Sequence, residues 1–260
     1  MNALPNLEPW QWILGVAAAL IVGITKTGVP GAGILVVSLL AAAFGGRPSV
    51  GIMLPMLIFA DFFAVYWYRK NVHWDKLIGL LPGVVTGMAL GAGALWWIGE
   101  INSRRDIMGI LIGSLVLLML ALHLLQDRLG DRLTPTSKPG TAVTGVLAGF
   151  TTTVSNAAGS IMSIYMAAHK VTKKDFVGTL AWYFFIVNVS KLPIYIALTL
   201  INPRKPIMTW QSLTFVAAVS PAIVAGVYLG KWTLTHIPER AFIWVVLAIA
   251  AVGAVKLIVG

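Results

Sequence analysis

The chain is predicted to be an all-α polytopic membrane protein made of two homologous halves. Each half is expected to hold a broken or re-entrant helix pair and three transmembrane helices. Three observations lead there. The 260 residues are 58% hydrophobic and only 11% charged, about half the charged fraction usual in soluble domains, and the mean hydropathy is +0.86. Six apolar runs of 18 to 24 residues recur along the chain. Two further apolar regions are interrupted at matching positions.

The first half is assigned to residues 1–125. Its broken pair, 10–44, consists of apolar pieces 10–24 and 31–44 around G-I-T-K-T-G-V-P-G-A-G-I at 23–34. A 15-residue helix reaches only ~22 Å, short of a ~30 Å hydrocarbon core, so each piece is expected to be a half-membrane helix or a strongly thinned span. Runs 50–68, 77–98 and 107–125 are long enough to cross. The linker is 126–139, Q-D-R-L-G-D-R-L-T-P-T-S-K-P, the most polar stretch of the chain. The second half, 140–260, repeats the order: a broken pair at 140–169 around G-F-T-T-T-V-S-N-A-A-G-S, then runs 176–199, 211–230 and 241–258. Nine of the ten tryptophans lie near run ends, where an aromatic belt belongs, and Trp182 is the exception.

The duplication is visible in the residues. At an offset of 126, five of twelve positions of the two interruptions are identical: Gly23/Gly149, Thr25/Thr151, Thr27/Thr153, Ala32/Ala158 and Gly33/Gly159. Residues 81–91 and 220–230 share P-x4-G-x3-G, placing Gly87/Gly91 and Gly226/Gly230 as small-xxx-small pairs that let helices approach closely. Paired Gly/Pro-broken apolar segments in two halves point to the binding site of a duplicated transporter.

Charge placement selects a topology. If each interrupted region crosses once, the basic residues divide 9 to 8 between the two sides. If each goes in and returns, eleven fall on the linker side and six on the other. The second arrangement obeys the positive-inside rule, gives inverted halves and puts both termini outside the cytoplasm.

Other classes are excluded on composition. The net charge of +10 comes from short segments between apolar runs, so it is no nucleic-acid footprint. Zero cysteines exclude disulfides and thiolate metal sites. His73, His123, His169 and His236 form no metal-ligand spacing. No cofactor is expected, no phosphate loop marks an ATP-driven pump, and the N-terminus lacks the basic region of a signal peptide.

The interruptions supply the chemistry of an anion site. Helix ends at a break leave backbone N–H groups unpaired and carry partial positive charge. Thr25, Thr27, Thr151, Thr152, Thr153, Ser155 and Asn156 add neutral hydrogen-bonding groups, and Gly28 allows close backbone approach. Three ionisable residues, Lys26, Asp61 and Lys191, lie inside apolar stretches, where a charge costs at least ~2.5 kcal/mol. Lys26 and Lys191 are read as attracting the anion. Asp61 aligns with Asn188 at offset 127, and Lys191 follows Asn188 by three residues, on the same helix face. Asp61 is read as a proton-coupling site or as the counter-ion of a lysine.

The T-K-T-G-V-P-G-A-G stretch, the N-V-H-W turn at 71–74 and the block F-V-G-T-L-A-W-Y-F-F-I-V-N-V-S-K at 176–191 resemble the TauE/SafE sulfite-exporter family across roughly 10–258. The resemblance implies a small bacterial inner-membrane permease for sulfite, organosulfonates or related anions. The two half-sites are unequal, since Thr152 stands where the first interruption has Lys26. The expected function is secondary anion transport by alternating access around a midplane site, in a lipid bilayer. The competing class is an intramembrane enzyme or a non-transporting assembly factor. No Ser/His, HExxH or paired-carboxylate constellation within the runs supports an enzyme.

Overall fold

The computed structural model describes residues 7–28, 33–101, 105–129, 137–169 and 171–236, together with 251, 255, 258 and 259. Among them are nine helices and no strand: α1 (Pro9–Thr27), α2 (Gly33–Phe44), α3 (Gly46–Tyr68), α4 (Trp74–Glu100), α5 (Ile107–Leu129), α6 (Lys138–Ser155), α7 (Gly159–Ala168), α8 (Lys173–Ile201) and α9 (Trp210–His236). Five, namely α1, α3, α4, α8 and α9, are long and apolar enough to cross a membrane. The run 241–258 lies outside the described residues except at 251, 255 and 258.

The helices are apolar on both sides. Val22, Leu40, Leu54, Leu80, Ile112 and Ile223 are buried, while Ile13, Phe62, Val85, Trp97, Leu200 and Tyr228 are exposed. So much large apolar surface facing outward is stable against hydrocarbon, not water. The prolines inside α3, α4, α8 and α9 (Pro55, Pro82, Pro193 and Pro221) fit the same solvent, because neighbouring helices in a membrane bundle satisfy the freed carbonyls.

Glycines set the closest pairs. Along α4, Gly83, Gly87 and Gly91 face Ala142–Val146, Val146–Phe150 and Phe150–Thr153 of α6 in turn, so the two helices run parallel. Gly226 and Gly230 of α9 face Leu20, Ile24 and Thr27 of α1 in the same sense. A Cβ at Gly87 or Gly226 would overlap the carbonyl oxygen of Val146 or Leu20. The glycines therefore bring backbones together where lipid offers no hydrophobic drive.

Helices α3 and α8 cross antiparallel. Near the start of α3, Arg47 Nε donates to Lys205 O, just past the end of α8. Beyond the end of α3, Asn71 Nδ2 donates to Asp175 Oδ1, at the start of α8. Midway, Asn188 Nδ2 donates to Asp61 Oδ2.

Each interrupted region is a hairpin. Gln11 Nε2, at the start of α1, donates to Ala43 O at the end of α2 over 2.7 Å, so the chain leaves at the end it entered. The start of α6 and the end of α7 both meet α4: Gly79 lies beside Thr141, and Tyr165 OH donates to Lys76 O. The first arms are longer than half-membrane helices, which corrects the sequence reading. Helix α1 has 19 residues and runs on through Lys26, and α6 has 18. In both, the hydroxyls of the last turns bond back to carbonyls of their own helix instead of breaking it. Thr25 and Thr27 reach Val22 O and Gly23 O, while Thr153 and Ser155 reach Gly149 O and Thr151 O. The short arms are α2 and α7, with 12 and 10 residues.

Candidate functional site

Helix α6 ends at Asn156, whose φ of 57° is left-handed. Asparagine is among the few non-glycine residues that adopt this conformation readily, and it stops the helix there. Its side chain then takes two roles. Nδ2 donates to Val50 O on α3, and Oδ1 accepts from Lys191 Nζ. Lys191 is fully buried. Its ammonium bonds Thr152 O and Thr152 Oγ1 at 3.0 Å each and Asn156 Oδ1 at 2.5 Å. Three donors meet three neutral acceptors. None of those acceptors carries charge.

The first break is held differently. Lys26 Nζ lies 2.8 Å from Asp61 Oδ1 and 4.1 Å from the Phe184 ring centroid. Asp61 is fully buried and also accepts from Asn188 over 2.6 Å. One carboxylate thus faces two ammonium groups, one paired directly. Asn188 Oδ1 is buried without a hydrogen-bond partner among the described residues.

Two tyrosines close the carbonyl ends of the first arms. Tyr68 OH donates to Thr27 O over 3.2 Å, and Tyr195 OH donates to Thr153 O over 2.7 Å. The C-terminal ends of α1 and α6, which carry partial negative charge, are therefore covered by donors. The N-terminal ends of α2 and α7 open differently, with Gly33 and Gly159 lining a shared cavity. That leaves the positive ends of two helix dipoles at the cavity wall.

The cavity measures ≈ 50 Å³ and is also lined by Thr25, Lys26, Thr152, Asn156, Met53 and Phe184. That volume is about three or more times what one water needs, so a small oxyanion fits. Of the sequence-selected residues, Thr25, Lys26, Thr152 and Asn156 reach the cavity wall. Lys191 sits behind Thr152 and Asn156, and Asp61 with Asn188 sits behind Lys26. The others are spent on packing. Thr27 Oγ1 donates to Val227 O on α9, and Gly28 abuts Gly230. Thr153 abuts Gly91. The hydroxyls of Thr153 and Ser155 return to their own helix, and Thr151 O receives the Ser155 bond.

Sequence reasoning missed Tyr68, Tyr195 and Phe184. The tyrosines were within reach of it, since they stand 127 apart, the spacing of Asp61 and Asn188. Phe184 carried no signal, because one phenylalanine in an aromatic run does not announce a lysine above it. The exceptional Trp182 packs at a tilt of 53° against the exposed Trp74, with ring centroids 5.2 Å apart.

A multi-pass helical bundle that buries two ammonium groups, a carboxylate and two helix breaks around one small cavity has the architecture of a membrane permease. Residues 14–257 match the family model for Sulfite exporter TauE/SafE, and the chain belongs to that family of membrane transporters, which are not enzymes. No curated protein and no solved structure matches the chain significantly.

Proposed function

We propose that the chain is a secondary transporter of small sulfur-containing oxyanions, sulfite or short sulfonates, in the bacterial inner membrane. It works by alternating access around the cavity between the two helix breaks. The observation that carries this is the buried Lys191 ammonium, bonded only to neutral oxygens beside the cavity wall. With Lys26 matched by Asp61, one positive charge remains for a monoanion to balance. An arriving oxyanion takes over ammonium donors from Thr152 and Asn156, and it accepts from Thr152 and the N-terminal amides of α2 and α7.

In this reading residues 1–125 and 140–260 are inverted repeats joined by 126–139, with both termini outside the cytoplasm. The antiparallel crossing of α3 and α8 supports it, as does the exchange in which α4 packs on α6 and α9 on α1. A two-fold axis through Asp61 and Asn188, across the helices, relates those pairs. Rocking of one hairpin against the α3–α8 pair then opens the cavity to one side at a time. Asp61 is the proton carrier of this cycle, because it is the carboxylate that meets both Lys26 and the opposite half.

The test is flux in proteoliposomes. Purified protein should accumulate sulfite and methanesulfonate down an imposed gradient, faster with a pH gradient than without. Absence of flux for both anions would contradict the reading.

A further inference from the structure

A second, larger cavity opens at the end of the bundle where α1 begins. It measures ≈ 650 Å³, within the range of about 300–1,000 Å³ typical of ligand pockets. Four basic side chains line it, Arg47, Arg105, Arg204 and Lys205, against one carboxylate, Asp106. Each oxygen of that carboxylate accepts a hydrogen bond from a backbone amide. Oδ2 accepts from Gly46 N and Oδ1 from Gly109 N, each over 2.8 Å. Asp106 therefore caps the N-terminal ends of α3 and α5, and four basic side chains against its one charge leave the wall basic.

The cations are built in. Arg47 is buried, and its Nε and Nη1 are fixed by Lys205 O and Leu95 O. Those bonds use two of five guanidinium donors. Gly99 presses on the guanidinium so closely that a Cβ would stand 3.0 Å from Nη2. Lys205 Nζ is held by Ile101 O over 2.7 Å. Arg204 is exposed, and neither it, Arg47 nor Lys205 makes an ion pair among the described residues. The N-terminal end of α9 adds its dipole through Thr209 and Ser212. The remaining wall is apolar, including Phe44, Ile98 and Phe215.

We propose that this chamber is a second anion site, separate from the Lys26–Lys191 cavity, that holds the oxyanionic head of a sulfonate, sulfite or phosphate-ester group. Its arginines suit such a head because the planar guanidinium matches an oxyanion at two points. The apolar wall accepts an organic tail longer than the methyl of methanesulfonate, for which the ≈ 50 Å³ cavity has no room. Binding here does not depend on the transport reading. Only the onward fate of the anion does.

The test is calorimetric titration of methanesulfonate into the full detergent-purified chain at low ionic strength. Wild type should bind two equivalents. Lys191→Met should keep the chamber equivalent and weaken the central one by about tenfold or more. Arg204→Gln and Arg204→Glu should weaken the chamber equivalent by about tenfold or more, on the scale of charge-assisted hydrogen bonds, and Arg204→Lys should restore most of it. Repeating the titration in nanodiscs with and without phosphatidylglycerol separates the sources. Loss of the chamber equivalent only with that lipid assigns the head to a lipid phosphate, and its persistence assigns it to free anion. A single equivalent in wild type, with no lipid binding that Arg204→Glu weakens, overturns the second site. Two equivalents without any flux leave the chamber standing and defeat the transport reading alone.

Discussion

Asn188 Nδ2 donates a hydrogen bond of 2.6 Å to Asp61 Oδ2, joining two residues 127 apart that the proposed repeat makes equivalent. Equivalent positions touch only beside the axis that relates them, so this bond marks the proposed centre of the transporter. It also orders the charges. Asn188 holds the carboxylate, the carboxylate holds Lys26, and Lys191 is left to Thr152 and Asn156.

Breaking the Lys26–Asp61 pair from one side leaves a buried charge without its partner. Lys26→Met or Asp61→Asn should each cost about 3 kcal/mol or more of stability, and the double variant should recover much of it. Thermal melting of the four proteins in one detergent measures this. Where Asp61→Asn protein can be isolated, it should bind sulfite yet lose the acceleration given by a pH gradient. Normal gradient-driven flux would remove Asp61 from proton coupling.

Lys191→Met keeps most of the apolar stem and removes the charge. Sulfite affinity should fall about tenfold or more, from the loss of a ~1.5–3 kcal/mol charge-assisted hydrogen bond. Unchanged affinity in a folded protein would make Lys191 a structural tie between α8 and the end of α6.

The glycine contacts separate packing from chain flexibility. Gly87→Val and Gly226→Val should each cost about 1–3 kcal/mol or more, because side chains would be forced into Val146 O and Leu20 O. Gly93→Ala on α4 meets nothing within 4 Å, and it should stabilise by about 0.5–1 kcal/mol through helix propensity. Melting temperatures moving the same way for all three would discard the packing argument.

Much of this was legible in the sequence, and the losses have physical causes. The offset of 127 paired Asp61 with Asn188 in the sequence, and the two side chains are hydrogen-bonded. Charge balance favoured an in-and-back path, and Gln11 bonded to Ala43 shows that α1 and α2 form a hairpin. Where the helices stop was less visible. Threonines and glycines read as a break at Gly23, but α1 runs on to Thr27, with the Thr25 and Thr27 hydroxyls turned back onto carbonyls of their own helix. Periodicity also does not say which hydroxyls reach a cavity. Thr152 faces it while Thr151 and Thr153 on either side do not, a rotation of about 100° per residue that only the packed helix fixes.

Topology is open to a direct test, since a chain without cysteine gives single-cysteine variants no background. Glu8→Cys should react with an impermeant maleimide in intact cells, and Ser137→Cys only after lysis. The reverse pattern would invert the assigned orientation.

The central claim is that one cavity serves both sides of the membrane. Ala157 lines that cavity and is 2% exposed, so Ala157→Cys reports on opening. In right-side-out and in inverted vesicles, an impermeant thiosulfonate reagent should label it slowly from each face, and methanesulfonate should slow both reactions. Labelling from one face alone, or labelling that methanesulfonate does not change, would contradict alternating access at this site.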